Sequence, residues 1–412
     1  MNIWILNHYA TNQYIDGTGR HHAFAKYLIR KGHSVKIFCA NTVHNSNEIV
    51  NLGGNRYIEK TGRDNVSYVF VKTRSYHRNG FKRVMNMIDY YKNVSIALNE
   101  YILKEGRPSI LLASSVHPLT LVSGIRWGRK ENVKCICEIR DLWPESIVAY
   151  GVVGEKNLVI KCFRKLEKWI YKNSDFIIFT MGGGYDYIID QGWDKEIPRS
   201  KVEQINNGID LELYEYNKKK YSLVDEDLEN PDTYKIVYTG SLRKANEQIY
   251  ALFDAIKLMQ GEQFKNYRFF IYGRGDLEDS LKRICFENNY SNVRIKGFVD
   301  KKYIPYILSK CDLNILNCVS HSILRYGGSQ NKLFDYLASG NPIISGEDSK
   351  YSVVSLYNCG IAKDFKNSNE LVSAIEELKK HPIDSKHIIE VAEKYDFKNL
   401  IDKLLKIINM IN

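Results

Sequence analysis

The sequence predicts an α/β protein built from two Rossmann-like, doubly wound parallel-sheet domains facing a central cleft. Three observations predict it. Short apolar runs alternate with stretches of helical spacing, the pattern of βα units in a mostly parallel sheet covered on both faces. The alternation is interrupted by a polar, charge-rich stretch, Asn217–Thr233, and then restarts. The length, 412 residues, is too great for one hydrophobic core and suits two domains. A hydrophobic content of 44% with 26% charged residues excludes a disordered chain or a coiled coil. No run approaches the ~18 apolar residues that a membrane span needs.

The first domain takes its strands from the apolar runs Ile3–Leu6, Val35–Cys39, Val66–Val71, Ile110–Ala113, Val133–Glu138, Phe176–Phe179 and Val202–Ile205. Helical spacing fills the gaps, as in Phe24, Ala25, Leu28 and Ile29. Asn206-Asn207-Gly208-Ile209-Asp210 follows the last of these strands; Asn-Gly tolerates positive φ and suits a reversal where one domain hands over to the next. Past the polar stretch, strands are expected at Ile236–Tyr238, Tyr267–Tyr272, Val293–Ile295, Leu313–Leu316 and Pro342–Ser345. The domains are set at 1–208 and 209–394. The last segment, 395–412, carries Leu400, Ile401, Leu404, Leu405 and Ile408 on one helical face and is expected to pack back on the first domain.

The first apolar run is too short for a secretory leader and lacks a basic segment before it. Eight scattered cysteines form no CxxC or Cys/His pattern and read as reduced thiols of a cytoplasmic protein, with no metal site. The net charge of +11 is uneven. Residues 1–210 carry 30 Lys and Arg against 20 Asp and Glu; residues 211–412 carry 29 against 28. A basic first domain faces something anionic: nucleic acid, a membrane leaflet or a phosphorylated substrate. No nucleic-acid recognition module is present. Abundant surface lysine is the competing explanation.

Chemistry-bearing residues gather where expected strands end. The first βα turn ends Gly17-Thr18-Gly19-Arg20 before a helix, where glycine lets backbone amides approach a phosphate; an ordinary turn wants the same residues. The spacing is not GxGxxG, which argues against a dinucleotide fold. His117, after Ser114-Ser115-Val116, stands at a strand end, suited to bind a sugar hydroxyl or to tie down its own loop. Glu138-Ile139-Arg140-Asp141-Leu142-Trp143-Pro144-Glu145-Ser146 gathers Arg140, acids and Trp143 for a polar ring, unless Arg140 and Asp141 simply pair. Gly240-Ser241-Leu242-Arg243-Lys244 sets two cations behind a strand end, as a pyrophosphate would want. Tyr272-Gly273-Arg274-Gly275 and Lys296-Gly297-Phe298-Val299 offer backbone groups to a base. The fullest segment runs from Arg325 to Pro342. Ser329 is expected to cap a helix closed by Gly340, whose start, with Lys332 in its first turn, makes an anion site. Asp335, one turn after Asn331, suits the vicinal hydroxyls of a ribose.

In this order, Arg140–Ser146, Asn206–Asp210, Gly240–Lys244, Tyr272–Gly275 and Ser329–Ile344 resemble retaining glycosyltransferase family 4 of the GT-B fold. The likeness is greatest to members that build bacterial capsule and O-antigen, and it spans nearly the whole chain. It implies transfer of a sugar from a nucleotide-diphosphate donor, a UDP-sugar by preference and GDP otherwise, with retention and without metal. The donor would lie on the second domain. Gly17, Gly19, Gly240, Arg243, Lys244, Gly273, Phe298, Val299, Ser329, Asn331, Lys332 and Asp335 would contact it. The acceptor, a polyprenyl-pyrophosphate-linked sugar, would lie on the first with His117, Arg140 and Asp141; the catalytic set would be His117, Lys332 and Arg243. Ser241 occupies the family's usual arginine position, and Gly327 stands where the family usually has its first glutamate, eight residues before Asp335.

A lipid-linked acceptor would bring the basic first domain to the anionic inner leaflet of the plasma membrane. Residues 156–172 carry six cations beside Leu158, Phe163, Leu166, Trp169 and Ile170, either a core helix with a solvated face or a membrane-facing one. A nucleotide-sugar epimerase of the same architecture and a non-catalytic scaffold, favoured by Gly327, are the competing readings.

Overall fold

The computed structural model describes residues 1–412 except 45, 47, 77–79, 116, 150, 152, 244–247, 412 and the side chain of Gln248. The chain divides into two compact units, Met1–Asn206 with Phe397–Asn412, and Asn207–Asp396.

The first unit holds strands β1 (Asn2–Leu6), β2 (Ser34–Ala40), β3 (Tyr57–Thr61), β4 (Ser67–Val71), β5 (Ile110–Ser114), β6 (Cys135–Ile139), β7 (Phe176–Phe179) and β8 (Val202–Gln204). They form one sheet in the order β3-β4-β2-β1-β5-β6-β7-β8. All neighbours are parallel but β3, which pairs antiparallel with β4. The period-2 alternation of a strand sends Ile3 and Ile5 to one face and Trp4 to the other. The first face joins Val35, Ile37, Phe24 and Leu28 in one core. On the second, Trp4 packs against Phe38 at 5.3 Å, Tyr101 at 6.3 Å and Trp127 at 5.7 Å between ring centroids. Strand β3 was not expected, because its sequence, Tyr-Ile-Glu-Lys-Thr, is half or fully exposed and carries no apolar run.

The C-terminal helix Phe397–Ile411 belongs to this unit. Phe397, Leu400, Ile401, Leu404, Ile407 and Ile408 enter the same core, where Phe397 meets Phe24 edge-on at 5.7 Å. Each such side chain contributes about 1.5–3 kcal/mol by leaving water. The terminal segment is therefore an integral part of the first core.

The second unit holds β9 (Tyr234–Thr239), β10 (Tyr267–Tyr272), β11 (Val293–Gly297), β12 (Leu313–Ile315), β13 (Ile343–Ser345) and β14 (Gly360–Ala362), ordered β11-β10-β9-β12-β13-β14 and wholly parallel. Ile236, Tyr238, Phe269 and Ile271 enter one core, while Val237, Phe270 and Tyr272 enter another. Both faces of the sheet are thus covered. The polar stretch 217–233 is folded: helices Leu211–Lys220 and Glu226–Glu229 are capped by Asp210 and Asp225, and Tyr214 and Leu228 are buried in the second core. Strand β14, three half-buried residues, also lacked an apolar signal.

All eight cysteines are free thiols, and Cys162 is exposed. Among the described residues no helix is long and apolar enough to cross a membrane.

Candidate functional site

The first unit buries two polar clusters at the C-terminal ends of its central strands. Glu138, at the end of β6 and fully buried, accepts from Arg20 Nε at 2.7 Å, His21 Nε2 at 2.9 Å and Ser114 Oγ at 2.8 Å. Asn7 Nδ2 lies 2.7 Å from His21 Nδ1, which must accept if Nε2–H donates to Glu138. Arg20 also donates to the carbonyls of Ile205 and Asn206, so the same guanidinium holds the end of the first unit's main segment. Burial raises the carboxyl pKa of Glu138, but Arg20, His21 and Arg140 outweigh it and hold the group well below the usual carboxylate range.

This network gives the glycine turn a different use from phosphate binding. The backbone amides of His21 and His22, at the start of helix Arg20–Arg30, both donate to Gln13 Oε1 at 3.1 and 3.0 Å. The helix N-terminus is already filled by the chain's own side chain. Gly17 closes helix Thr11–Asp16 in the left-handed region at φ 61°, and a Cβ there would lie 2.3 Å from Arg63 Cδ. Gly17 and Gly19 serve the turn itself.

The second cluster centres on His8 and His117. His8 Nδ1 and His117 Nε2 share a short hydrogen bond. The His8 ring is stacked with Tyr9 and Tyr90, each at 4.5 Å. Burial drives the His117 pKa down to about 3, aided by Arg83, and burial likewise lowers that of His8. At neutral pH both rings are uncharged, so His117 can offer a hydrogen bond but no positive charge. Its Nδ1 is buried without a partner. His117 lines a narrow apolar slot with Leu121, Ile139, Trp143 and Phe163.

Arg140 and Asp141 form no ion pair among the described residues. Arg140 donates its amide to Ser115 Oγ at 2.9 Å, its Nε is buried unpartnered, and Asp141 is exposed. Helix Leu158–Asn173 holds this loop: Phe163 packs on Trp143 at 4.2 Å and Arg164 binds Glu145. The apolar positions of the helix divide differently from the expected stripe. Ile160, Glu167, Ile170 and Tyr171 are buried, Phe163, Leu166 and Trp169 are half-buried, and Leu158 and Val159 are 76% and 56% exposed. The expected stripe placed Leu158 with the packed residues because helical spacing alone cannot tell a packed turn from a protruding one.

In the second unit, the C-terminal end of β9 and the start of helix Asn331–Ser339 line an open cavity of ≈ 440 Å³, within the size range of ligand pockets. Tyr238, Thr239, Gly240, Ser241, Lys301, Gln330, Asn331, Lys332 and Asp335 line it. The helix begins one residue later than Ser329 implied. Its N-cap is Gln330, and no side chain caps the first turn. Ser329 Oγ instead accepts from Asn207 N at 2.9 Å, and Ser329 O accepts from Asn207 Nδ2 at 2.5 Å. The uncapped start keeps its partial positive charge for whatever enters the cavity.

Lys332 is half-buried by area, but its ammonium is packed among protein atoms, 4.3 Å from the centroid of the Tyr238 ring. Burial lowers its pKa to about 7, against a small opposing effect of Cys318. Asp335 lies one turn further; burial raises its pKa and Lys301 opposes the rise. Tyr336, on the same helix, ties it to β9 by accepting from Thr239 N at 2.9 Å. The cavity thus holds two cations, one acid and a helix start.

Of the expected donor residues, Gly240, Asn331, Lys332 and Asp335 meet at this cavity. Gly273 lies beside it for a packing reason: a Cβ would stand 1.8 Å from Gly240 O. Arg243 is exposed and outside the lining, Phe298 is 59% exposed beneath Arg274, and Val299 packs on the core. Lys244 lies outside the described residues. Lys301 and Gln330 were missed, although Lys301 follows β11 by four residues and a cation after a strand end is a readable signal. Among the described residues, no three His, Cys, Asp or Glu side chains gather as a metal site.

Two α/β units built on mainly parallel sheets are the architecture of the GT-B fold. Residues 15–213 match the family model described as Glycosyltransferase Family 4, and residues 233–381 match Glycosyl transferases group 1. The chain belongs to this family of glycosyltransferases. In fold it is similar to OtsA in its apo form (TM-score 0.69, 12% identity, 99% of this chain and 98% of that one). It is similar also to Anabaena Alr3699/HepE in complex with UDP (TM-score 0.65, 11% identity, all of both chains). A third is WaaG, a glycosyltransferase involved in lipopolysaccharide biosynthesis (TM-score 0.62, 13% identity, 99% of each chain). No curated protein sequence matches the chain.

Proposed function

We propose that this glycosyltransferase moves a hexosyl or N-acetylhexosaminyl group from a UDP-sugar to a lipid-pyrophosphate-linked saccharide in surface-polysaccharide assembly, retaining the anomeric configuration and using no metal. The observation that carries the donor reading is the uncapped start of helix Asn331–Ser339 with Lys332 and Lys301 in one cavity. A departing nucleoside diphosphate carries about two negative charges, and preorganised donors stabilise them as the bond breaks. Helix amides and two ammonium groups supply that stabilisation without a divalent ion, while Asp335 takes the ribose hydroxyls. HepE, solved with UDP, supports uracil as the base. On the first unit His117, neutral and with one nitrogen unpartnered, receives an acceptor hydroxyl in the slot that Asp141 also lines. Retention asks only that the acceptor attack from the face the diphosphate leaves, with a donor phosphate oxygen taking the proton. Calorimetric titration with UDP is expected to give the same affinity in EDTA and in magnesium. Binding that requires magnesium, or no binding by UDP or GDP, removes this reading.

The acceptor's lipid places the first unit at an anionic leaflet. Leu158 and Val159 stand exposed on a helix whose Lys161 and Lys165 are exposed too, with Lys156 just before it. Each cation near such a surface contributes about 1 kcal/mol. Sedimentation with vesicles is expected to show binding that rises with the anionic lipid fraction and falls with salt; equal binding to neutral vesicles would remove the membrane role.

A further inference from the structure

The second unit buries a carboxylate that the donor cavity does not yet account for. Glu347 follows β13 and is 3% exposed. Its Oε1 accepts from the Gly328 amide at 3.0 Å, and no cation pairs with it among the described residues. A carboxylate buried with one neutral donor is costly to the fold unless a ligand completes it. Burial accordingly raises its pKa, with only the Gly328 amide opposing.

The surroundings are shaped around this group. Asn317 Oδ1 accepts from Gly346 N at 2.6 Å and from Ser345 Oγ at 2.8 Å, and Ser345 Oγ in turn accepts from the Glu347 amide at 3.2 Å. Because Gly346 N can only donate, the Asn317 oxygen is fixed on that side. Its Nδ2 is left buried with no partner. Gly328 must be small, since a Cβ would stand 2.8 Å from Glu347 Oε2. Two residues beyond Gly328, Gln330 lines the cavity. Two extended residues and one hydrogen bond put the carboxylate within about 10 Å of Gln330. A sugar joined to a diphosphate at the start of helix Asn331–Ser339 would span an interval of that size.

We propose that Glu347 is the donor-sugar acceptor group of this enzyme, receiving hydrogen bonds from hydroxyls of the transferred ring while the Gly328 amide holds it in place. Gly327, which has no side chain to offer, and Gly328 leave that role to a residue from the next strand end. The proposal rests on the donor reading of the cavity. Its chemistry is specific: a carboxylate accepts from hydroxyls and repels a second phosphate, so it selects the sugar and not the nucleotide.

The test is calorimetry and steady-state kinetics on the full chain and on Glu347→Gln, with UDP, GDP and a panel of their hexoses and N-acetylhexosamines. The glutamine keeps an oxygen for the Gly328 amide and the volume of the side chain. Expected for Glu347→Gln is a nucleoside-diphosphate affinity within twofold of the parent, with affinity and kcat/KM for the cognate nucleotide sugar reduced ~10-fold or more. A 2-, 3-, 4- or 6-deoxy donor lacking the recognised hydroxyl should discriminate parent from variant least. Equal loss of diphosphate and nucleotide-sugar binding would show a structural role and overturn the proposal, as would unchanged kinetics with the cognate donor. If the parent bound no nucleoside diphosphate, the donor reading itself would fail, and this proposal with it.

Discussion

Lys332→Ala is expected to lower kcat/KM by ~100–1000-fold, the loss typical when one preorganised donor to a developing charge is removed, with the circular dichroism spectrum unchanged. The ammonium stands over the Tyr238 ring in the cavity that also holds the uncapped helix start. Burial holds its pKa at about 7. A bound diphosphate favours the charged form and raises that value. Below pH 7 the group is already protonated, and its contribution to diphosphate affinity is at its full value. Above pH 7 a proton must be taken up on binding, so affinity falls by up to about tenfold per pH unit until the pKa of the complex is reached. Diphosphate titrations from pH 6 to 9, run in buffers of differing ionisation enthalpy, measure both the slope and the proton uptake. Lys332→Ala should flatten the profile. Near-parental turnover in that variant, or an equally steep profile, would remove Lys332 from the mechanism.

Glu138→Ala is expected to cost the first unit about 3–5 kcal/mol of unfolding free energy, because it strands a buried guanidinium. The side chains of Arg20 and Glu138 are 2% and 0% exposed. Removing the carboxylate leaves the guanidinium with two backbone carbonyls and no counter-charge, and leaves Ser114 and His21 without their acceptor. Denaturant unfolding followed by tryptophan fluorescence measures the loss; a change under about 1 kcal/mol would contradict the pairing. The sign of its pH dependence follows from the depressed carboxyl pKa. The stabilisation is present above the unfolded value of about 4.5 and is lost as pH falls through the folded one. The gap between parent and variant should therefore narrow in acid. The double variant Arg20→Met, Glu138→Leu should regain part of the loss, since a buried pair is harmed most when one partner goes.

Much of the architecture was legible because a strand buried on both faces reads as an apolar run whatever surrounds it. Phe176–Phe179 and Tyr267–Tyr272 lie where their sequences placed them. Strand β3 was not legible, since an exposed edge needs no apolar residues and is held by backbone pairing to β4. The same contrast runs through the site. Lys332 and Asp335 could be found because helical spacing sets them one turn apart beside a glycine-rich approach. Ser329 was misread as a cap: its hydroxyl is taken by Asn207, more than a hundred residues earlier in the chain. The amides after Gly19 are filled by Gln13 Oε1, a partner that the local glycine pattern does not reveal.

By itself the sequence determined the class of fold, the repeat of βα units in two units and the helix that follows the glycine-rich approach to Asn331, all set by local periodicity and backbone geometry. Only the tertiary structure decided the charge of each group and its partner. The neutrality of His117 and the half-titrated ammonium of Lys332 follow from burial, as does the solitary carboxylate of Glu347. Burial and pairing are properties of neighbours distant along the chain, and no local pattern encodes them.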